Sequence, residues 1–227
     1  MTCERAQAGV LVSKKMPEFK MEGYDPQTGK YIEISSEDFK GKWTLICFYP
    51  ADFTFVWPTE IAAVNAAYDL LKDLGVEVLL ISTDTKFSHK RFVETEPLLK
   101  DLKIKLGADP TGEVTRKFGV LIEDLGIALR GRFLIDPEGT IVAEEVLYPP
   151  VGRSVKEMVR QIIAYQYASK TGEACPANWK PGKKTLPVNK EAENMTGKVG
   201  EYVSLDELVE EKDLEEIKEM VEKSKSL

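Results

Sequence analysis

The stretch Tyr49–Glu60, with the sequence YPADFTFVWPTE, holds the residues of this chain that are best placed to do chemistry. An apolar run from Trp43 to Tyr49 predicts a buried strand before it, and a helical pattern predicts a helix from Pro58 to about Asp73 after it. A helix N-terminus presents free N–H groups and positive potential, so catalytic groups in open α/β sheets tend to lie there. This stretch is therefore the predicted site.

The stretch resembles the signature of the AhpC-type peroxiredoxins, the typical two-cysteine class, which reads P-x-x-x-T-x-x-C followed by P-T-E. The letters that match are Pro50, Thr54, Pro58, Thr59 and Glu60. Trp57 stands where the family has its peroxide-attacking cysteine. The resemblance extends over about residues 10–190 through the segments STDTKFSHK, RGRFLIDPEG and ACPANWKPG.

The resemblance implies an α/β, thioredoxin-like fold (a central mixed sheet flanked by helices) and reduction of hydrogen peroxide and alkyl hydroperoxides. The nucleophile in such a site is a thiolate, which positive charge and a helix N-terminus stabilise. By the resemblance, Thr54 would hold the peroxide in line and Pro50 would shield the pocket from water. Arg130 and Arg153 would lie near the thiolate, oriented by Glu60. Each residue alone also fits a turn, a strand end or a solvated strand position, but the shared order and spacing favour a site.

Cys175 occupies the position of the family's resolving cysteine, with matching residues at Pro176, Trp179 and Gly182 around it. The resemblance implies that this thiol attacks the sulfenic acid of a neighbouring subunit. The resulting intersubunit disulfide would be reduced by a thioredoxin-like protein or a dedicated flavoprotein. The resemblance also implies self-association, as dimers through sheet edges and often as a decamer of five dimers, and no cofactor.

Trp57 has no nucleophilic or reducible sulfur, so the chain as written is predicted to lack peroxidase turnover. Cys47, in an apolar strand, and Cys3, in an arm without a charged pocket, would not replace it. Three origins of the tryptophan stay open: an engineered replacement, which we favour, a selenocysteine codon (UGA) read as tryptophan, and natural loss of activity. The indole also predicts a displaced or unwound turn from Phe55 to Thr59, because overpacking costs about 1–3 kcal/mol.

A second interpretation of the same resemblance is a ring-forming or chaperone-like homologue without turnover. The two hypotheses differ at one position, because restoring cysteine at position 57 would give activity only if the rest of the site is intact. Thioredoxin-like disulfide exchange is disfavoured because the chain has no C-x-x-C. The only histidine, His89, is predicted to be structural, since an ionised thiol needs no base and its segment matches the family's dimer–dimer contact.

Composition limits the partners. The 227 residues carry a formal charge of −7, and ten acidic and four basic residues from Glu201 onward account for −6 of it. This charge balance argues against nucleic acid as the main partner, because binding nucleic acid needs a basic face. No apolar run reaches the roughly 20 residues of a membrane span, and no signal peptide is indicated, which predicts a cytoplasmic chain without a membrane partner. Three cysteines and one histidine form no metal-ligand spacing.

The predicted elements divide the chain into a thioredoxin-like domain, residues 10–172, and a C-terminal arm, residues 173–227. The arm is rich in Pro, Gly, Lys and Asn up to residue 200. A capping box at Ser204–Glu207 then opens a predicted amphipathic helix. This helix is predicted to dock on this or a neighbouring subunit through its apolar residues, which are Leu208, Leu214, Ile217 and Val221.

Overall fold

The computed structural model describes residues 9–188 and 197–225 of the chain. The chain forms two compact units, one ending at Val155 and the other beginning at Lys156. The boundary predicted at residue 172 lies inside the second unit. Cys3, which the sequence places in an N-terminal arm, lies outside the described residues.

The described residues of the first unit form nine strands, which are β1 (Lys20–Asp25), β2 (Lys30–Ser35), β3 (Trp43–Phe48), β4 (Val76–Ser82), β5 (Lys105–Ala108), β6 (Leu121–Ile122), β7 (Ile127–Ala128), β8 (Arg130–Ile135) and β9 (Ile141–Leu147). Seven of these described strands form one sheet in the order β2-β1-β5-β4-β3-β8-β9, and β6 pairs with β7. Strand β3 runs parallel to β4 and antiparallel to β8, so the sheet is mixed, as predicted.

Strand β3 positions the site. Its apolar run is buried, with Ile46 and Phe48 at 0% exposure, as expected of a central strand covered on both faces. The chain leaves this strand through Tyr49 and Pro50, both also buried, and turns into the first helix. The predicted site therefore lies at the carboxyl end of a central strand.

The helices of the first unit are α1 (Trp57–Ala66), α2 (Tyr68–Asp73), α3 (Lys86–Thr95) and α4 (Glu113–Lys117), with single 3-10 turns at Ser36–Phe39 and Pro97–Leu99. The single helix predicted from Pro58 to Asp73 is wrong, because the chain leaves helical geometry at Ala67 (φ −91°, ψ 1°). The break follows Asn65, whose side-chain amide bonds the backbone of Asp101 and Lys103. A tertiary contact thus coincides with the end of α1.

The second unit begins at the second residue of α5 (Val155–Thr171) and contains the rest of that helix. Its other described helices are α6 (Val199–Tyr202), α7 (Leu205–Leu208) and α8 (Glu211–Ser224). Gly172, with φ of +70°, follows α5 as predicted. The predicted capping box at Ser204 and Glu207 is present, but it opens only the four-residue α7. Val209 is extended (φ −133°, ψ 102°), so the single predicted tail helix is two helices.

After the bend at Val209, the start of α8 lies beside the arm. Glu210, at the N-cap of α8, pairs with Lys183 at 3.1 Å, and Asp213 pairs with Lys180 at 3.5 Å. The apolar residues of α8 stay about half exposed, so docking on a neighbouring subunit stays a prediction: Leu214 44%, Ile217 49% and Val221 53%. None of the helices in the described part of the chain combines the length and apolarity that a bilayer crossing requires.

Candidate functional site

Trp57 is the first residue of α1, and its side chain is fully buried. The indole stacks on the ring of Tyr49, with ring centroids 4.3 Å apart and planes 9° from parallel. The guanidinium carbon of Arg153 lies over the indole, 5.4 Å from its ring centroid. The buried indole Nε1–H finds no hydrogen-bond partner among the described residues. Since an unsatisfied buried donor costs about 1–3 kcal/mol, the polar surroundings are not adapted to an indole.

The displaced turn predicted from Phe55 to Thr59 is wrong. Helix α1 begins at Trp57 with a regular first turn. The N–H groups of Thr59 and Glu60 donate to the Val56 carbonyl at 3.2 and 3.4 Å. The added volume of the indole is taken up by stacking against Tyr49 inside the pocket. The first helical turn is therefore regular with the indole buried beside it.

Glu60 lies one turn along α1 from Trp57 and binds both predicted arginines. Its Oε2 accepts a hydrogen bond from Arg130 Nη1 at 2.5 Å, and its Oε1 accepts from Arg153 Nε at 2.9 Å. The backbone N–H of Arg153 also donates to Oε1, at 2.7 Å. All three side chains are buried, with exposures between 3% and 6%.

Backbone carbonyls accept further hydrogen bonds from the two guanidiniums. Arg130 Nε donates to Pro149 at 2.6 Å, while Arg153 donates to Gly131 at 2.7 Å and to Phe48 at 3.3 Å. The network therefore connects α1, β3, β8 and the segment after β9. One carboxylate against two guanidiniums leaves an excess of positive charge beside the start of α1, where the helix itself contributes positive potential. An anion at position 57 would be stabilised by both.

Pro50 and Thr54 lie in the turn between β3 and α1. Pro50 is buried, whereas Thr54 is partly exposed and its hydroxyl donates to the Ala51 carbonyl at 3.0 Å. Between them Phe53 adopts a left-handed conformation, with φ of +58°, which is uncommon for a residue other than glycine. Pro50 and Thr54 thus lie on the short connection that leads to Trp57 at the start of α1, and the Thr54 hydroxyl closes the turn.

Cys47 lies behind the site and is 2% exposed. It borders a small cavity of about 10 Å³, lined also by Glu60, Val64, Arg132, Arg153 and Val155. Burial raises the pKa of the Cys47 thiol, and the charges of Arg153 and Arg132 oppose that effect less strongly. A cavity of this size holds about one water molecule, so a peroxide does not fit. Cys47 is thus a protonated thiol in the core.

Cys175 belongs to the second unit and is partly buried. Its thiol lies 3.6 Å from the Ala164 carbonyl in α5, to which it donates a hydrogen bond. Burial raises the pKa of this thiol, and the nearby Arg160 lowers it by less. The neighbouring Ala174 forms an antiparallel bridge with Leu186, so the segment around Cys175 is folded back on itself. Within residues 9–188 and 197–225, no three His, Cys, Asp or Glu side chains come together as metal ligands would.

Sequence reasoning missed Tyr49 as a part of the site. Its ring covers Trp57, and its hydroxyl enters a buried network with Asp52 and His89. The available signal was its place directly before Pro50, at the end of a buried strand. His89, predicted to be structural, is fully buried within the first unit.

A mixed sheet flanked by helices, with a buried cationic site where a central strand turns into a helix, defines the class as a thioredoxin-like fold. The AhpC/TSA family matches residues 12–144, and the C-terminal domain of 1-Cys peroxiredoxin matches residues 164–204. The chain belongs to the AhpC/TSA family. Helices α7 and α8 lie beyond both matched regions.

Relatives and solved structures agree with this membership. Alkyl hydroperoxide reductase C of Staphylococcus saprophyticus is 42% identical over 177 residues, which are 78% of this chain and 94% of that protein. The reduced 2-Cys peroxiredoxin of Plasmodium vivax superposes with a TM-score of 0.75 at 37% identity, covering 78% of this chain and 93% of the other. AhpC of Enterococcus faecalis gives 0.71 at 36% identity, covering 74% and 100%. The predicted thioredoxin-like fold is confirmed.

Proposed function

We propose that this chain is the scaffold of a typical two-cysteine peroxiredoxin, a thiol peroxidase for hydrogen peroxide and alkyl hydroperoxides, with tryptophan in place of its nucleophile. The observation that carries this proposal is the buried pairing of Glu60 with Arg130 and Arg153 beside position 57. Family membership and the relatives named alkyl hydroperoxide reductase support the substrate class.

With a thiolate at position 57, the excess positive charge and the first turn of α1 would hold the sulfur ionised. The sulfur would attack one peroxide oxygen, the O–O bond would break, and the departing oxygen would take a proton. Charge that develops on that oxygen would be stabilised by Arg130 and Arg153, which are already oriented by Glu60. Thr54 would hold the peroxide once its hydroxyl turns from Ala51, and Pro50 would exclude water.

The second half of the reaction falls to Cys175. Its thiol would attack the sulfenic sulfur of a neighbouring subunit, forming a redox-active disulfide and releasing water. A thioredoxin-like protein or a flavoprotein would supply the two electrons that reopen the disulfide. This step requires self-association, for which we propose dimers and a decamer of five dimers in the cytoplasm, and it requires no cofactor.

The chain as written is proposed to lack turnover, because the indole carries no sulfur and fills the space at position 57. The regular start of α1 around Trp57 supports a second candidate, a ring-forming or chaperone-like homologue that folds and assembles without peroxidase chemistry. Under that alternative the arginine network would be a structural remnant.

The decisive comparison is hydrogen peroxide consumption in the presence of dithiothreitol by the chain as written, by Trp57→Cys and by the matched control Trp57→Ser. We expect turnover only in Trp57→Cys. Inactivity of all three would contradict the peroxidase proposal and favour the assembly alternative. Consumption by the tryptophan form would mean that Cys47 or Cys175 reacts with peroxide.

The origin of Trp57 has its own test, which is the codon at this position of the gene. A UGG codon would mean that tryptophan is encoded, by engineering or by natural loss. A UGA codon would favour the second origin, in which the natural protein carries selenocysteine here and is a selenoperoxidase.

A further inference from the structure

Tyr49 connects Trp57 to a second buried network, which contains the only histidine of the chain. His89 Nδ1 lies 2.9 Å from Asp52 Oδ2, and both side chains are fully buried. The Tyr49 hydroxyl donates to Asp52 Oδ1 at 2.9 Å and lies 3.2 Å from His89 Nδ1. An aromatic stack and a histidine–aspartate pair thus share one tyrosine.

Asp52 is the point where this network holds the site turn. It lies midway between Pro50 and Thr54, on the connection that leads to Trp57. Its backbone N–H donates to Asp84 Oδ2 at 2.8 Å, and its carboxylate accepts from the Ser88 hydroxyl at 2.7 Å. The turn before α1 is therefore attached at Asp52 to α3 and to the segment that follows β4.

Both ring nitrogens of His89 face groups that can accept a hydrogen bond. Its Nε2 lies 3.1 Å from the Gly107 carbonyl, which can only accept, and its Nδ1 faces the Asp52 carboxylate. Only an imidazole with hydrogens on both nitrogens donates in both directions. The hydroxyls of Tyr49 and Ser88 also donate to Asp52, which suits an ionised carboxylate.

The neighbouring titratable groups are compatible with this pair. Burial, and then the charge of Asp52, raise the pKa of the Asp84 carboxyl, while hydrogen bonds from the Ser82 hydroxyl and the Asp52 N–H, and to a smaller extent His89, lower it. Burial, and then the charge of Asp52, raise the pKa of Tyr49 well above its usual value, so the phenol remains a neutral donor. Within the described residues His89 therefore has a carboxylate on one side and a carbonyl on the other.

We propose that His89 is a positioning residue: a buried imidazolium that, through Asp52 and Tyr49, fixes the site turn against the residue at position 57. The kinetic part of this role rests on the proposed peroxidase function, whereas the ion pair and its hold on position 57 do not. Removing the imidazolium leaves a buried carboxylate without its cation, so the turn that carries Pro50 and Thr54 shifts.

The first test uses the unaltered chain. Because His89 is the only histidine, a long-range ¹H–¹⁵N spectrum of its imidazole is free of overlap. We expect both ring nitrogens to carry hydrogens at neutral pH. A neutral ring with one protonated nitrogen would overturn the ion pair.

The second test follows Trp57 itself. His89→Gln should shift the indole N–H resonance of Trp57 and speed its hydrogen exchange, while Lys90→Gln, on the exposed side of α3, should leave both unchanged. The milder Ser88→Ala, which removes one donor to Asp52, should give a smaller shift of the same kind if His89→Gln does not fold. An unmoved Trp57 resonance in the folded variants would overturn the positioning role.

The third test measures rates in the Trp57→Cys background. Adding His89→Gln should slow oxidation of the introduced thiol by hydrogen peroxide about 10- to 100-fold, because small misplacements of reacting groups are costly. Alkylation of the same thiol by iodoacetamide, which needs no aligned peroxide, should change much less. Equal loss of both rates would mean general loss of structure and would overturn positioning. If Trp57→Cys itself does not react with peroxide while the first two tests succeed, the proposed function fails and the ion pair stands.

Discussion

The site in the first unit and the arm in the second unit are both held by ion pairs, but the burial of those pairs differs. Around Glu60 the charged side chains are 3–6% exposed. In the second unit three lysines of the arm pair with three carboxylates of the tail, as Lys180–Asp213, Lys183–Glu210 and Lys184–Glu207. The acidic side chains of these pairs are 23–34% exposed, and the lysine side chains are 37–62% exposed. The same type of contact thus occurs in two environments.

Burial decides what these contacts can do. Losing one partner of a buried pair leaves an uncompensated charge, which costs about 3–5 kcal/mol. Exposed pairs are screened by water and salt and contribute little. The site is therefore held rigidly, as preorganised charge for catalysis requires, while the contacts of the arm respond to pH and salt.

The largest effect is expected from Glu60→Gln. The neutral amide leaves the guanidiniums of Arg130 and Arg153 buried without their carboxylate, so the free energy of unfolding should fall by about 3–5 kcal/mol. Denaturant unfolding measures this loss. The matched control is Glu77→Gln, whose carboxylate pairs with Lys72 and is 32% exposed, and which should cost less than about 1 kcal/mol. Similar losses in both variants would remove the distinction between the two environments.

A smaller effect is expected from Trp57→Phe. The phenyl ring keeps the stack on Tyr49 and removes an N–H that is buried without a partner among the described residues. The lost packing volume and the removed unpaired donor act in opposite directions, so the free energy of unfolding should change by less than about 2 kcal/mol. A loss of 4 kcal/mol or more, on the order of that for a well-packed buried tryptophan, would show that the pocket fits the indole.

The tail should respond to acid with little effect on the first unit. Hydrogen bonds from Lys212 and Lys183 lower the pKa of Glu210 from 4.5 to about 2. A carboxyl whose pKa is lower in the folded than in the unfolded state stabilises the fold at pH values above its unfolded pKa. The contribution of Glu210 is therefore present above pH 4.5 and is lost as the pH falls toward about 2. The protection factors of the α8 amides, which are exchange rates corrected for the intrinsic effect of pH, should therefore fall over that range. Glu210→Gln should reduce this fall, and an unchanged fall of the protection factors in that variant would contradict the assignment to Glu210.

Local patterns in the sequence were enough for the central strands and for the start of the helix at the candidate site. The apolar run VEVLLIS predicted β4 with the bounds Val76–Ser82, and the P-T-E motif located the start of α1 to within one residue. The breaks at Ala67 and Val209 were not predictable, because each accompanies a contact with a segment distant in sequence, through Asn65 and Glu210. Periodicity alone does not report such contacts.

The site shows the same division between local and tertiary information. The resemblance supplied Glu60, Arg130 and Arg153, and the structure brings all three together. The stacking of Trp57 on Tyr49 and the link from Tyr49 to His89 depend on how strands and helices pack, so no spacing in the sequence indicated them. The prediction of a displaced turn at position 57 was wrong for the same reason, because the indole stacks on the ring of Tyr49.

The central claim is that the site around position 57 is complete except for its nucleophile. Its most direct test is the second-order rate constant for oxidation of the introduced thiol by hydrogen peroxide in Trp57→Cys, measured by stopped flow beside free cysteine at the same pH. The charged surroundings predict a rate constant at least about a hundredfold above that of free cysteine, because preorganised donors typically contribute that much or more. A rate constant equal to that of free cysteine would contradict the claim.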